Sequence, residues 1–262
     1  MTMRMRASML VGFLSALTAG GTVHGDISGF NSLNGWTYNQ GDSGTPPVIV
    51  NDNLIHFTTG PDNARSLWYN TPQDISSFQA TFTYRAGSIS ASSLRQGVTF
   101  AIHNSPTGLG ALGPAGPGLG YAGVAPSLAV TIENDTGPGL TYSGVYMNGI
   151  LGGGSMPITP VSAFTFEDID VTITYSGSIL SVTMAQGANV FGRQDFLVGS
   201  LSSLLGSSTA YVGFTGGTFN TLGFGGGSNQ FLGDFQFTAV PAPSSLALLS
   251  VLGITAKRRR RM

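Results

Sequence analysis

The sequence predicts an all-β protein, built as an antiparallel β-sandwich or jelly roll. Its apolar segments are short, rich in β-branched and aromatic residues, and often alternate with polar residues, which is typical of strands with one buried face. Turn-forming residues separate these segments, and Ser176-Gly177 is expected to close a tight hairpin. One short helix is predicted, within the segment FLVGSLSSLLGSS. The predicted strands lie in VIVNDNLIHFT, FQATFTYRA, GVTFAIHN, SLAVTIEN, SGVYMNG, DVTITYS, ILSVTMA, AYVGFTG and DFQFTAV.

The first 25 residues have the features of a secretory signal peptide. Arg4 and Arg6 give a basic start, an apolar run follows, and small residues precede a cleavage site before Asp26. Such a segment is removed during export and takes no part in the fold. We therefore expect residues 26–239 to form one domain with a substantial core, located outside the cytoplasm.

Residues 240–262 combine prolines and serines, an apolar stretch over 246–256 and a basic run over 257–261. At about 1.5 Å per residue, the apolar stretch reaches about half of a hydrocarbon core that is about 30 Å thick, so it is a poor permanent anchor. The order of these parts resembles the PEP-CTERM sorting tail of Gram-negative bacteria, although Ala242 stands where that family usually has Glu. The resemblance implies processing by an exosortase, transient membrane contact, and delivery to the cell surface or the extracellular matrix, such as a biofilm. A short tail anchor with positively charged flanking residues is the alternative.

The charge of the predicted domain argues against two kinds of partner. Of the 11 basic residues, seven lie in the two terminal segments, whereas all 12 acidic residues lie between Asp26 and Asp234. The domain therefore carries a net charge of −8, which repels nucleic acid and anionic lipid. The chain has no cysteine, which rules out disulfides and thiolate metal sites.

Two glycine motifs, GLGALG and GLGYAG, match the pattern of a dinucleotide-binding turn. That site needs a helix whose N-terminus faces the pyrophosphate. Pro114, Pro117 and the neighbouring glycines are incompatible with such a helix. We therefore interpret residues 108–123 as a glycine-rich loop.

The candidates for catalysis are weak. Asp168 and Asp170 share a face of a predicted strand, but Thr172 follows where a carboxylate of the glucanase type would continue the pattern, so charges on a solvated face are favoured. No serine lies in a G-x-S-x-G turn, and His56 and His103 are the domain's only histidines. A packed or solvated histidine is favoured over a catalytic base.

The aromatic residues Trp36, Tyr38, Trp68 and Tyr69 lie within or beside the early strands. Core or edge packing is the favoured interpretation for most of them. An exposed ring among them is also suited to stacking against a sugar.

Taken together, four segments are similar in order and spacing to the legume-type (L-type) lectins and their bacterial relatives. They are ARSLWYNTPQDISSFQATFTYRA, QGVTFAIHNSPTGLGALGPAGPGLGYAGVAPSLAVTIEND, VTITYSGSILSVTM and LSSLLGSSTAYVGFTGGTF. The resemblance runs from about Asp26 to Phe237 and implies a concanavalin A-like jelly-roll sandwich. It also implies that loops at one end bind a monosaccharide.

The resemblance assigns the sugar-binding residues. The family's sugar-binding Asp corresponds to Gln96, preceded by Arg95 at the cis-linked position, and its glycine loop falls within residues 116–123. Its fourth sugar-facing loop corresponds to residues 216–218. The site that the resemblance implies consists of Gln96, Gly118, Gly120, Asn134, Gly217 and Thr218. Gln96 and Asn134 are expected to accept hydrogen bonds from hydroxyls, and the glycine backbone is expected to donate them.

The resemblance also implies a calcium ion beneath the sugar, often with a transition metal. Thr131 and Tyr142 stand where the family has a Glu and a His, so no transition metal is expected. The remaining oxygen ligands are Glu133, Asn134 and Asp135, interpreted as a polar turn between two strands. This turn is therefore either a calcium site or an acidic turn without a metal.

Three functions follow from these observations. The first is an exported, non-catalytic lectin-like protein that binds glycans or exopolysaccharide. The second is a structural or adhesive surface protein on the same scaffold, without sugar binding. The third, a glucanase-like glycoside hydrolase, is least favoured because no pair of catalytic carboxylates is visible.

Overall fold

The computed structural model describes residues 26–30, 32–41, 46–51, 53–89, 96–135, 139–219 and 228–240. The predicted signal peptide, Arg95 and almost all of the predicted sorting tail lie outside these residues, so these predictions stay as they are. No helix among the described residues is long and apolar enough to cross a membrane.

The described chain folds as sixteen β-strands with one short α-helix, α1 (Leu201–Leu205). In chain order the strands are β1 (Ile27–Ser28), β2 (Trp36–Gln40), β3 (Val48–Asn51), β4 (Leu54–Thr58), β5 (Ala64–Tyr69), β6 (Gln73–Asp74), β7 (Ser77–Ser88), β8 (Gln96–His103), β9 (Ser127–Asp135), β10 (Leu140–Met147), β11 (Met156–Pro157), β12 (Ile169–Ser176), β13 (Ile179–Gln186), β14 (Asn189–Leu197), β15 (Thr209–Gly217) and β16 (Asn229–Ala239).

The strands form two antiparallel sheets that pack face to face. Sheet A has the order β14-β13-β12-β7-β16-β4-β3, and β1 also pairs with β16. Sheet B has the order β11-β10-β9-β8-β15-β5-β2, and β6 also pairs with β15. This arrangement confirms the predicted all-β jelly-roll sandwich.

The main core lies between the inner faces of the two sheets. Phe82 of sheet A contacts Phe100 and Phe214 of sheet B, with ring centroids 6.2 and 5.1 Å apart. In β9, Val130 and Ile132 point inward, whereas Ala129 belongs to a second apolar cluster. The second cluster lies on the outer face of sheet B, so this sheet is buried on both faces.

Two predictions that depend on neighbouring residues, a hairpin turn and a short helix, can be compared with the structure. The chain turns between β12 and β13 through Gly177 and Ser178, one residue later than the predicted turn at Ser176-Gly177, and Gly177 has a φ of 68°. The predicted helical stretch contains α1, whose first turn is capped by the Ser200 hydroxyl. Of the rest of that stretch, Phe196 and Leu197 belong to β14, which was not predicted, and the other residues lie in the connections before and after α1.

Candidate functional site

Register brings most of the predicted site residues to one end of sheet B. Gln96 pairs with Asn134 between β8 and β9, and the next residue, Gly97, lies between Glu133 and Gly217. These residues are distant in the sequence but adjacent across three strands. We call this end of the three strands β9, β8 and β15 the sheet B end.

The connection between β8 and β9, residues 104–126, contains the predicted glycine-rich segment 108–123 and covers the outer face of sheet B. From here on, this whole connection is called the glycine-rich loop. The buried Trp68 donates a hydrogen bond from its indole Nε1 to the carbonyl of Ala111 at 2.7 Å. The Tyr121 hydroxyl lies 2.7 Å from the Ser127 Oγ and accepts a hydrogen bond from the Gly149 amide at 3.2 Å. Burial raises the pKa of Tyr121, so this hydroxyl stays protonated. The loop is therefore fixed on the sheet from both sides.

The same loop reaches the sheet B end. A Cβ atom added to Gly217 would come within 2.8 Å of the Gly116 carbonyl oxygen and the Leu119 Cα. The Gly116 amide donates to the Thr218 carbonyl at 3.0 Å, and the Thr218 hydroxyl donates to the Gly60 carbonyl at 2.7 Å. The glycine loop, Gly217 and Thr218 are thus in contact, as their common assignment to one site requires.

The glycine backbone does not supply the donors that were expected. The Gly118 amide donates to the Ala115 carbonyl at 3.2 Å, and the Gly120 amide donates to the Pro114 carbonyl at 2.9 Å. Both amides therefore close turns within the loop, and the expectation that they donate to a sugar is wrong for this geometry. Their role is to let the loop pack closely, since a Cβ on Gly120 would lie 2.6 Å from the Arg65 carbonyl oxygen.

The side chains of Gln96 and Asn134 face the core. Cross-strand partners share a face of a sheet, and both residues are fully buried. The Asn134 amide donates to the Tyr84 hydroxyl at 2.7 Å, while its oxygen accepts from the Thr141 hydroxyl at 3.3 Å. Burial raises the pKa of Tyr84 far above its ordinary value, so Tyr84 remains a neutral partner. The Asn134 amide is therefore used within the protein, whereas the role of Gln96 and Asn134 as direct sugar acceptors stays a prediction.

The predicted acidic turn is part of a strand. β9 continues through Asp135, and it pairs with β10 from Leu128 to Asp135. Successive side chains of a strand point to opposite faces, so Asn134 points inward while Glu133 and Asp135 point outward. The three side chains therefore do not share one face of the sheet, which disfavours the predicted calcium site through Glu133, Asn134 and Asp135.

The remaining carboxylates are too few for a calcium site made of side chains. Glu133 is 3% exposed and accepts a hydrogen bond from the Thr131 hydroxyl at 2.7 Å. Within the described residues, no group of three or more His, Asp or Glu side chains is placed to hold a metal ion. Calcium usually takes six to eight oxygen ligands.

We expect calcium to leave the thermal stability of the protein unchanged. A site filled at one hundred times its dissociation constant adds about 2.7 kcal/mol of stability, which corresponds to a rise in melting temperature of roughly 5–10 °C. Melting curves of the full chain with excess calcium and with a chelator test this expectation. A calcium-dependent rise that disappears in Glu133→Gln would contradict it.

His103 is a buried histidine at the end of β8. Its ring centroid lies 4.2 Å from that of Trp68, and its Nδ1 accepts a hydrogen bond from the Ser105 amide at 3.1 Å. The Nε2 atom is buried and has no hydrogen-bond partner. Burial lowers the pKa of His103 from 6.5 to about 4. The neutral imidazole of His103, buried against Trp68, is consistent with a packing role, which the sequence favoured over catalysis.

This histidine makes stability depend on pH. Because its pKa is lower in the folded state, the unfolded chain takes up a proton first as pH falls below 6.5, and the free energy of unfolding decreases until pH reaches about 4. The expected loss is about 3 kcal/mol, from about 1.4 kcal/mol per pKa unit. Urea titrations across this range should give a smaller loss for His103→Asn, which keeps an acceptor for the Ser105 amide. An unchanged pH dependence in that variant would refute this assignment.

The other sequence motifs are structural. Asp170 is exposed on the outer face of sheet A, and Asp168 pairs with Arg85 at 3.7 Å. This confirms that these carboxylates lie on a solvated face. The region of the glycine motifs contains two single-turn 3₁₀ helices, Gly108–Gly110 and Gly116–Gly118, in place of the longer helix that a dinucleotide site needs.

Comparison with known proteins identifies the class of fold. No family model matches the chain, and no curated protein matches its sequence. Among solved structures, a lectin from Bauhinia forficata in complex with GalNAc is similar, with a TM-score of 0.63 and 18% identity over 83% of this chain and 99% of that chain. Lotus tetragonolobus seed lectin has a TM-score of 0.63 and 19% identity, over 83% of this chain and 100% of its own.

A third structure belongs to a protein described differently. Arcelin-5, a lectin-like defense protein from Phaseolus vulgaris, has a TM-score of 0.64 and 16% identity, over 83% of this chain and 99% of its own. The chain therefore has the legume-lectin fold at low sequence identity. The function of these proteins does not follow for this chain from the fold alone.

Proposed function

We propose that this protein is an exported, non-catalytic carbohydrate-binding protein of the cell surface or extracellular matrix. The observation that carries the proposal is the convergence, on a legume-lectin fold, of the glycine-rich loop, Gly217 and Thr218 at the sheet B end. Two similar structures are named as lectins, and one of them is a complex with GalNAc. Export, exosortase processing and surface location rest on the terminal sequence patterns.

In this proposal, the framework of the site consists of Gln96, Gly118, Gly120, Asn134, Gly217 and Thr218. Their polar groups hold the loop and the strands together, so the direct contacts to a sugar come from groups with exposed surface. Asp135 is such a group, because its carboxylate lies half-buried at the end of β9 on the outer face of sheet B. A carboxylate accepts hydrogen bonds from sugar hydroxyls, as the few polar groups of a binding site usually do.

The test compares two surface carboxylates. We expect Asp135→Asn to weaken binding to a glycan array or an immobilised polysaccharide by tenfold or more, because the charged acceptor is lost. The matched control is Asp170→Asn, an exposed strand residue on the outer face of sheet A. It should bind like the parent, and both variants should melt like the parent.

Two outcomes would contradict the proposal. Equal weakening by both substitutions would mean that general charge, and not the sheet B end, controls binding. Failure of the parent to bind any glycan would remove carbohydrate binding altogether.

A structural or adhesive role is the second candidate function. It is favoured by the hydrogen bonds that commit the Asn134 amide and the Gly118 and Gly120 amides to partners within the protein. Under this function, the parent would adhere to surfaces or to copies of itself without competition by any free sugar.

A further inference from the structure

A cleft lies where β1 of sheet A approaches β2 of sheet B. Its volume is about 300 Å³, and its polar and aromatic lining consists of Asp26, Ser28, Ser32, Asn34, Trp36 and Tyr69. This volume is at the lower end of the range for small-molecule sites, about 300–1,000 Å³. The cleft is therefore large enough for one or two sugar rings of a longer chain.

The aromatic wall of the cleft is held in place by other rings. The Trp36 ring is half-buried, and its centroid lies 5.3 Å from that of Tyr69 in an edge-on arrangement. The Phe30 and Phe235 rings lie 5.4 and 5.8 Å away. Because Trp36 is already fixed, a ligand that stacks on it would not have to order it first.

The polar groups around this ring are available to a ligand. Asp26 and Asn34 are exposed. Among the described residues, the side chains of Asp26 and Asn34 make no hydrogen bond to the protein. The same holds for the indole Nε1 of Trp36 and the hydroxyl of Tyr69. This differs from the sheet B end, where the amides of Gly118, Gly120 and Asn134 are used internally.

These groups match the chemistry of a neutral pyranose. The apolar C–H face of a sugar ring packs against an aromatic side chain, while its hydroxyls need both acceptors and donors. Asp26 supplies an acceptor, Asn34 both kinds of group, and the Trp36 indole a donor. No arginine or lysine side chain of the described residues lines the cleft, so no side-chain cation is placed there to bind a uronic acid or a sulfated sugar.

We propose that this cleft is a second saccharide-binding site, specific for a neutral pyranose unit of a polysaccharide. The inference rests on the proposed carbohydrate-binding function but uses a different surface. Along β5, Tyr69 pairs with Trp36 and Ala64 pairs with Gly217, a separation of five residues or about 17 Å. Two sites on one domain would bind one polysaccharide with higher avidity than either site alone.

Tryptophan fluorescence of the full chain tests the inference. The chain has two tryptophans, and Trp68 is fully buried, so acrylamide quenching reports mainly on Trp36. The probes are cellotriose, maltotriose, chitotriose and galactobiose. We expect one of them to protect Trp36 from quenching. The double variant Asp26→Asn/Asn34→Ala should weaken binding of that sugar tenfold or more.

A control separates failure of the cleft from failure of the proposed function. The double variant Asp170→Asn/Asn189→Ala changes the same residue types at exposed positions of sheet A and should bind like the parent. Suppose that a sugar binds and Asp135→Asn weakens this binding, while Trp36 stays equally quenchable and the cleft variant binds like the parent. This result would overturn the proposal of a site in the cleft and support the proposed function. If none of these probes and no glycan on an array binds the parent, both proposals are overturned.

Discussion

Gly97→Ala is expected to unfold the protein or to destabilise it by about 4 kcal/mol or more. Gly97 lies between β9 and β15 at the sheet B end, and an added Cβ would lie 1.9 Å from the Ile132 carbonyl oxygen. That oxygen belongs to the backbone of β9, so the overlap can be relieved only by separating paired strands. Urea unfolding followed by circular dichroism measures the loss.

The matched control is another strand glycine without close neighbours. Nothing lies within 4 Å of a Cβ built on Gly192 of β14. Gly192→Ala should therefore be neutral or stabilise the protein by up to about 1 kcal/mol, since alanine reduces the freedom of the unfolded chain. If Gly97→Ala were as stable as Gly192→Ala, the register of β8 against β9 described above would be wrong.

Trp68→Ala is expected to cost about 3–5 kcal/mol of stability and to release the glycine-rich loop from sheet B. Trp68 is fully buried, packs on His103 and donates the hydrogen bond to Ala111 that fixes the loop. Its removal leaves a cavity and an unpaired carbonyl under the loop. Urea unfolding measures the stability, and limited proteolysis of the folded variant measures access to residues 104–126.

Trp68→Phe separates packing from hydrogen bonding. It keeps an aromatic ring but loses the indole donor, so a smaller loss of stability is expected than for Trp68→Ala. Faster proteolysis within residues 104–126 should still appear, because the bond to Ala111 is gone. Parent-like cleavage in both variants would mean that Trp68 does not hold the loop.

The strand pattern could be predicted from the sequence because it depends on local periodicity. The meeting of the predicted site segments could be predicted because it depends on the family-like order of those segments. The segments beginning at Gln96, at Gly116 and at Gly217 do meet at one end of the fold. The orientation of individual side chains was less accessible. Asn134 and Asp135 are residue types that strands disfavour, which suggested a turn. Pairing with β10 overrides this local preference.

Other differences arise from contacts between distant parts of the chain. The backbone amides of Gly118 and Gly120 donate hydrogen bonds to carbonyls of their own loop. These bonds depend on the folded path of residues 114–122. None of the residues of β14 is buried, so the strand lacks the clear alternation of buried and exposed residues that identifies a strand in a sequence. The cleft at Trp36 combines β1, β2 and β5, which no local pattern connects.

Carbohydrate binding is tested most directly by applying the purified full chain to a glycan array, followed by competition with the free sugar of the best-bound glycan. We predict saturable binding to at least one glycan, inhibition by its free sugar, and a tenfold or greater loss in Asp135→Asn but not in Asp170→Asn. Absence of binding to every glycan, or binding that no free sugar inhibits, would contradict it and favour a structural or adhesive role for this legume-lectin fold.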